Sequence, residues 1–129
     1  MDRKFYISLE AARLLKEKGY DRECIAYYQN DEFHPYAFSR YDLSINDKNA
    51  VPPYMNQYSA PTKAEAIDWL ERKGIIVELS VTHDLCHWVF SIYMKGGEGI
   101  LTNVDFDFDS FSTRLEAEDA AIIKALELL

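Results

Sequence analysis

Three residues of types that can bind soft metal ions lie close together in the sequence: His83, Cys86 and His87. A thiolate with two imidazoles suits zinc or copper, although Cys24 or His34 would have to supply a fourth ligand. If a strand starts at Cys86, that residue and His87 point to opposite faces and cannot both bind one ion. We interpret the cluster as a buried cysteine beside two turn histidines, with a metal site or a Cys–His nucleophile as the alternative.

A second set of ligand-type residues is acidic. Asp105, Asp107, Asp109 and Glu116 fall at positions 1, 3, 5 and 12 of a calcium-binding loop. The glycine required at the sixth position is replaced by Ser110, and phenylalanines alternate with the aspartates. This alternation predicts a half-buried strand, on which the carboxylates lie about 6.7 Å apart along one face. Such a row suits contact with a basic surface, and calcium binding is the alternative.

Residues 31–60 lose the periodicity of regular structure and are rich in aromatic side chains. Disordered segments are poor in such residues, so we expect an ordered excursion that covers part of the core. Tyrosines also recur at recognition surfaces, where they offer a large area at low entropic cost. The candidate binding tyrosines are Tyr36, Tyr41, Tyr54 and Tyr58.

No catalytic motif follows from these residues. Neighbouring carboxylates on one strand do not form the pair across a cleft that acid–base chemistry on a sugar needs. The glycines of residues 96–99 lack the lysine and the following helix of a phosphate-binding loop, and they predict a hairpin turn. The sequence therefore favours a protein that is not an enzyme and has no cofactor.

Composition narrows the class of partner. The chain has 129 residues and a formal net charge of −8, with 48% apolar residues to build a core. This size predicts one domain spanning residues 1–129, and the charge disfavours direct contact with nucleic acid or an anionic membrane. The negative charge makes a basic protein the expected partner. The first residues have no apolar signal region, so we expect a cytoplasmic protein. Two cysteines are too few for a disulfide framework, so we expect reduced thiols.

Helix signals occur at three places. Ser8 can cap a helix over residues 9–18 that stops at Gly19. Thr62 and Glu65 have the spacing of a capping box for a second helix, which ends at Gly74. Thr113 and Glu116 repeat that spacing before an alanine-rich helix that runs to Leu129.

Strand signals lie between the helices. Residues 24–28 form a short β-prone run, and residues 75–81, residues 88–94 and a run after the glycine turn form a meander. The sequence therefore predicts an α+β fold with an antiparallel sheet of three to four strands and helices mainly on one face. The expected order of the C-terminal half is α-β-β-β-α.

Several of these segments together resemble a known family. The run from Ser8 to Asp21, the helix entry from Ser59 to Thr62, the pair Trp69-Leu70 and the acidic terminal helix are similar to a family of small uncharacterised proteins from phages, prophages and gut Bacteroidetes. The resemblance spans nearly the whole chain. It implies a phage or mobile-element origin and carries no activity or site residues.

The order of elements from Thr62 onward also resembles double-stranded RNA-binding domains, whose final helix is similar to the alanine-rich segment after Glu116. Those domains grip phosphates with lysines at the start of that helix. Here Glu116, Glu118 and Asp119 would repel the RNA backbone. The resemblance implies a related arrangement of sheet and helices without RNA binding.

The sequence favours a non-catalytic binding or accessory module that meets a protein through the acidic strand or the tyrosines. Two alternatives stand beside it: a small enzyme or metal-binding protein, and an acidic decoy of a nucleic-acid-binding protein. A homo-oligomer could form through an uncovered sheet face or edge strand.

Overall fold

The computed structural model describes residues 3–20, 22, 24–35, 57–82, 84–97 and 110–129, together with the backbone of residues 101–106. These residues form an α+β fold with two antiparallel sheets of three strands each. The fold class predicted from the sequence is confirmed. The backbone divides into two compact units, an N-terminal unit of residues 1–62 and a C-terminal unit of residues 63–129.

The N-terminal unit starts with a short 3-10 helix, Arg3–Phe5, followed by helix α1, Leu9–Glu17. The Ser8 hydroxyl caps α1 by accepting a hydrogen bond from the backbone N–H of Ala11 at 3.3 Å. Gly19 has a φ of +94°, the left-handed conformation that lets the chain leave the helix. The predicted start and stop of this helix are confirmed.

Three short strands form the N-terminal sheet in the order β2-β1-β3: β1 is Tyr27–Gln29, β2 is Glu32–His34 and β3 is Gln57–Ser59. The turn between β1 and β2 consists of Asn30 and Asp31, whose φ values are 50° and 67°. Asn and Asp tolerate this conformation, and a two-residue turn with both φ values positive matches the twist of a hairpin.

The centre of this unit is Tyr28, which is 1% exposed. Its hydroxyl donates a hydrogen bond to the backbone carbonyl of Ile7 at 2.8 Å. Its ring lies 5.4 Å from the ring of Phe33, and the Arg3 guanidinium lies 5.8 Å from its centroid. Aliphatic side chains complete this core, among them Leu15, and all of them are fully buried.

In the C-terminal unit, helix α2, Lys63–Arg72, precedes three strands: β4 is Ile75–Val81, β5 is Trp88–Lys95 and β6 is Leu101–Phe106. Helix α3, Arg114–Leu128, ends the chain. The predicted order α-β-β-β-α is confirmed.

Local signals in this unit behave as expected. Gly74 has a φ of +89° and ends α2. The Thr113 hydroxyl accepts a hydrogen bond from the backbone N–H of Glu116 at 3.2 Å and caps α3. Both helices therefore begin or end where the sequence places the signal.

The C-terminal core lies between the sheet and its helices. Strand β5 pairs with β4 on one side and β6 on the other, and α2 and α3 contact each other and β4. Ile75, Phe90 and Ile92 are fully buried on one side of the β4–β5 pair. The buried residues of α3 are Ala117, Ala121, Ile122, Ala125 and Leu126. Small residues let this helix approach the sheet closely.

The N-terminal sheet is the main difference from the prediction. The strand expected at residues 24–28 begins three residues later, at Tyr27, and β2 and β3 arise where no periodicity was found. Strands of three residues are too short to show an alternating pattern. The expected excursion between them falls largely on residues 36–56, outside the described residues.

Candidate functional site

The β4–β5 hairpin brings together the polar residues that the sequence marks in its middle. Its strands pair in continuous register from Ile75 opposite Met94 to Val81 opposite Trp88. The residues that connect them form the hairpin tip, defined here as residues 82 and 84–87. The backbone N–H of Thr82 donates to the carbonyl of His87 at 2.8 Å, which extends the ladder to the start of the tip.

Asp84 organises the tip through its carboxylate. Oδ1 accepts a hydrogen bond from the Thr82 hydroxyl and another from the backbone N–H of Cys86, at 3.1 Å. The Thr82 hydroxyl oxygen also accepts from the backbone N–H of His87 at 3.2 Å. The backbone N–H of Leu85 donates to the carbonyl of Thr82 at 2.8 Å. The tip is therefore a preformed loop with several internal hydrogen bonds.

The electrostatics of Asp84 follow from those contacts. The hydrogen bonds from the Thr82 hydroxyl and the Cys86 backbone lower the pKa of the Asp84 carboxyl below its ordinary value of 3.8. Hydrogen bonds to a carboxylate stabilise its charged form, so Asp84 is ionised and accepts both bonds at neutral pH. The tip thus carries a fixed negative charge.

Leu85 stands at the top of this loop in an unusual conformation. Its φ is +62°, in the left-handed region that a bulky residue rarely adopts. The residue is 76% exposed, the largest exposure among the exposed large apolar residues of the described chain. The loop accordingly holds an apolar side chain in water at a cost in backbone strain of about 1–2 kcal/mol.

The hairpin is anchored below the tip. Trp88, the first residue of β5, exchanges two backbone hydrogen bonds of 2.8 Å with Phe111. The ring of Phe111 lies 6.2 Å from that of Phe90, and the Arg114 guanidinium lies 5.4 Å from the centroid of Trp88. These contacts fix the direction in which the tip leaves the C-terminal unit.

The predicted metal cluster lies in the same tip. His83 is outside the described residues, whereas Cys86 and His87 are both exposed. The expectation of a buried Cys86 is wrong, because the residue sits in the turn before β5 begins. Its thiol donates to the backbone carbonyl of Asp84 at 3.4 Å. Among the described residues no group of three His, Cys, Asp or Glu side chains could hold a metal ion.

The proposed completing ligands have other surroundings. Cys24 is buried, and the His34 ring stacks on Tyr27 with centroids 4.8 Å apart. Both residues belong to the N-terminal unit. Their positions are explained by packing within that unit.

The acidic row is described only in part. Asp105 lies in strand β6, where its backbone pairs opposite Ile92 of β5. Asp107 and Asp109 are outside the described residues. Glu116 is exposed in the first turn of α3. The extended strand expected at Asp105 is present, and its binding role stays a prediction.

Of the four candidate tyrosines, only Tyr58 is described. It lies on β3 opposite Tyr28, with Lys16 at 5.2 Å and Arg13 at 5.8 Å from its ring centroid. Lys16 also donates to the backbone carbonyl of Gln57 at 2.9 Å, and burial lowers its pKa. Tyr58 therefore packs against cations of α1. Tyr36, Tyr41 and Tyr54 are outside the described residues.

The two residues that define the tip were not selected from the sequence. The sequence does carry a signal for Asp84, because a Thr-x-Asp run between two strands is typical of a turn stabilised by its own side chains. Leu85 carries no such signal, since leucine is a poor predictor of a left-handed backbone conformation. Only the three-dimensional structure identifies it.

Comparison with known proteins adds no assignment to this geometry. No family model, no curated protein and no solved structure matches the chain. Within the described ranges, no helix has both the length and the apolar character needed to cross a bilayer.

Proposed function

We propose that this protein is a non-catalytic protein-binding module of phage or mobile-element origin, acting in the cytoplasm of its host through the hairpin tip. The observation that carries the proposal is Leu85, an apolar residue that is 76% exposed and held in a left-handed conformation. Strained backbone persists where the surrounding structure enforces it, and such positions concentrate at functional sites.

The shape of the tip favours binding over catalysis. Small-molecule and catalytic sites are concave and gather several polar groups around a reacting atom. In the tip, by contrast, one apolar residue is exposed, and the polar groups around it form hydrogen bonds with one another. An exposed side chain on a loop that is already hydrogen-bonded can enter a pocket of another protein with less ordering of the backbone on binding.

The charge of the tip indicates the chemistry of that partner. Asp84 is ionised directly beside Leu85, and the chain as a whole has a formal net charge of −8. A complementary surface therefore has an apolar pocket with a basic rim. Such a rim would raise the association rate at low salt, while the pocket would set the dissociation rate.

A tagged pull-down from a gut Bacteroidetes lysate, at low and moderate salt, tests the proposal. Replacement of Leu85 by asparagine keeps the left-handed backbone accessible and removes the apolar side chain. We expect the L85N variant to fold normally and to bind the captured protein at least about tenfold more weakly, as for a residue at the centre of an interface. Affinity is measured with the purified pair.

Ile25 offers a matched control. It is also a branched aliphatic residue, 62% exposed, and it lies in the N-terminal unit. The I25N variant should bind with wild-type affinity. Equal loss of affinity in both variants, or none in L85N, would show that the hairpin tip is not the contact site.

A further inference from the structure

Among the described strands, β4 lies at one edge of the C-terminal sheet. Its inner side pairs with β5, and no strand among the described residues pairs with its outer side. The exposure of its side chains agrees with an edge position. Val77 and Leu79 are half-buried, whereas their partners on β5, Ile92 and Phe90, are fully buried.

The register shows which backbone groups face outward. Lys95 donates its N–H to the carbonyl of Gly74, and Thr82 donates to His87, both at 2.8 Å. In an antiparallel pair, residues that bond to the neighbouring strand alternate with residues that bond away from it. The outward N–H and carbonyl groups of β4 therefore belong to four residues: Ile75, Val77, Leu79 and Val81.

Within the described part of the chain, this edge carries few of the features that protect edge strands from pairing. Proteins shorten such strands, or place lysine, proline or a bulge on them. Strand β4 has seven residues with the sequence IIVELSV and a regular register. Glu78 is its single charged residue. The edge is thus suited to accept another strand.

We infer that β4 pairs antiparallel with β4 of a second copy of this chain, about a two-fold axis at Leu79. The outward-bonding residues of the two copies must lie opposite each other, so the axis must pass through a residue and not between two residues. Near the strand centre, the candidates are Val77, Glu78 and Leu79. An axis at Glu78 places two glutamates face to face. An axis at Val77 sets each Glu78 against Ile76.

The axis at Leu79 avoids both conflicts. It pairs Leu79 with its own copy, Val77 with Val81, and Glu78 with the Ser80 of the second chain. Val81 is 44% exposed and would gain cover. The C-terminal sheets of the two copies become one continuous sheet. The interaction is isologous because the same strand contributes from both chains.

Ser80 makes the register testable. It is exposed on the same side of β4 as Glu78, so charged substitutions at this position leave the core unchanged. The S80K variant creates two lysine–glutamate pairs across the axis, and S80E creates two glutamate pairs. Because cross-strand pairs of opposite and like charge differ in energy, we expect the dimer dissociation constants of S80K and S80E to differ by at least about tenfold.

Sedimentation of the full chain over a roughly hundredfold concentration range measures those constants. We expect a reversible wild-type dimer, tighter in S80K and weaker in S80E, with the difference reduced by salt. The V77P variant removes an outward N–H on each copy and leaves the bonds to β5 in place, so it should abolish the dimer.

Two results would overturn the inference. A wild-type chain that is monomeric at every concentration rules out the pairing. A dimer whose dissociation constant is the same in wild type, S80K and S80E forms through another surface. The Ser80 variants decide the question even if V77P does not fold.

Discussion

Each strand of the N-terminal sheet has three residues, whereas the strands of the C-terminal sheet have seven, eight and six. Strands as short as those of the first sheet make few ladder hydrogen bonds. Aromatic and cationic side chains surround them instead. The Arg3 guanidinium lies over the adjacent rings of Tyr28 and Phe33, and Tyr58 lies beside Arg13 and Lys16. The second sheet combines a long backbone ladder with two helices that cover its apolar side.

The difference shows two ways to hold three strands together. A long ladder distributes stability over many equivalent bonds, so that single positions matter less than the pattern. A short ladder depends on a few large side chains, each of which is difficult to replace. The N-terminal sheet should therefore respond more strongly to a single substitution at its centre.

Replacement of Tyr28 by alanine should have the largest effect. The residue is fully buried, contacts Phe33 and Arg3, and hydrogen-bonds to the Ile7 carbonyl. We expect Y28A to lose about 3–5 kcal/mol in free energy of unfolding, measured by denaturant titration. The Y28F variant keeps the ring and loses only the hydroxyl, so it should lose about 1 kcal/mol.

The fluorescence of Y28A also tests the domain prediction. Both tryptophans, Trp69 and Trp88, lie in the C-terminal unit. If residues 1–129 unfold as the single domain that the sequence predicts, tryptophan fluorescence and circular dichroism will show the same midpoint in Y28A. Two separate midpoints would contradict that prediction. A loss of less than about 1 kcal/mol in the free energy of unfolding of Y28A would contradict the central role of Tyr28.

A helix stop common to both units should give equal, intermediate effects. Gly19 and Gly74 have φ values of +94° and +89°, and a Cβ atom at either position meets nothing within 4 Å. Alanine at each should therefore destabilise by about 1 kcal/mol through backbone strain alone. Gly97 has equally open surroundings without a positive φ in that range, so G97A should be neutral or slightly stabilising in the same thermal unfolding assay.

Unequal losses would sharpen the comparison of the two units. If G19A costs much more than G74A, the short-stranded unit depends on its helix stop more than the ladder-based unit does. A loss in G97A as large as that in G74A would show that strain is not the cause.

The smallest expected effect is the pH response of the hairpin tip. Hydrogen bonds lower the pKa of Asp84 in the folded protein below 3.8. The contribution of its carboxylate to folding stability is therefore complete above pH 3.8 and is lost as the pH falls through the pKa of the folded state. We expect the Cys86 amide signal in NMR spectra to shift in that acidic range. In D84N the side-chain oxygen still accepts both bonds, so the signal should not titrate there. A shift of the same size in D84N would assign the response to another group.

Sequence reasoning succeeded where the signal is local or periodic. The caps at Ser8 and Thr113, the stops at Gly19 and Gly74, and the long strands of the C-terminal sheet all lie where expected. Capping depends on residues three positions apart, and alternation needs only a strand long enough to repeat. The signals for these features are therefore contained in the local sequence.

The remaining features depend on contacts between distant positions. Strand β3 pairs with β1 across about thirty residues of sequence, so a three-residue run gave no pattern to detect. Residues 83–87 drew attention in the sequence for a reason other than the one that the structure shows. His83, Cys86 and His87 were chosen for their chemistry, whereas Asp84 and Leu85 define the tip through hydrogen bonding and backbone conformation.

The two thiols of this chain differ in access, since Cys86 is exposed on the tip and Cys24 is buried. A maleimide or a spin label added to the folded protein will therefore attach at one position without any engineered cysteine. That position is the residue next to Leu85. The native chain thus provides its own reporter beside the proposed contact, and quenching or broadening of the attached probe would register a partner as it docks.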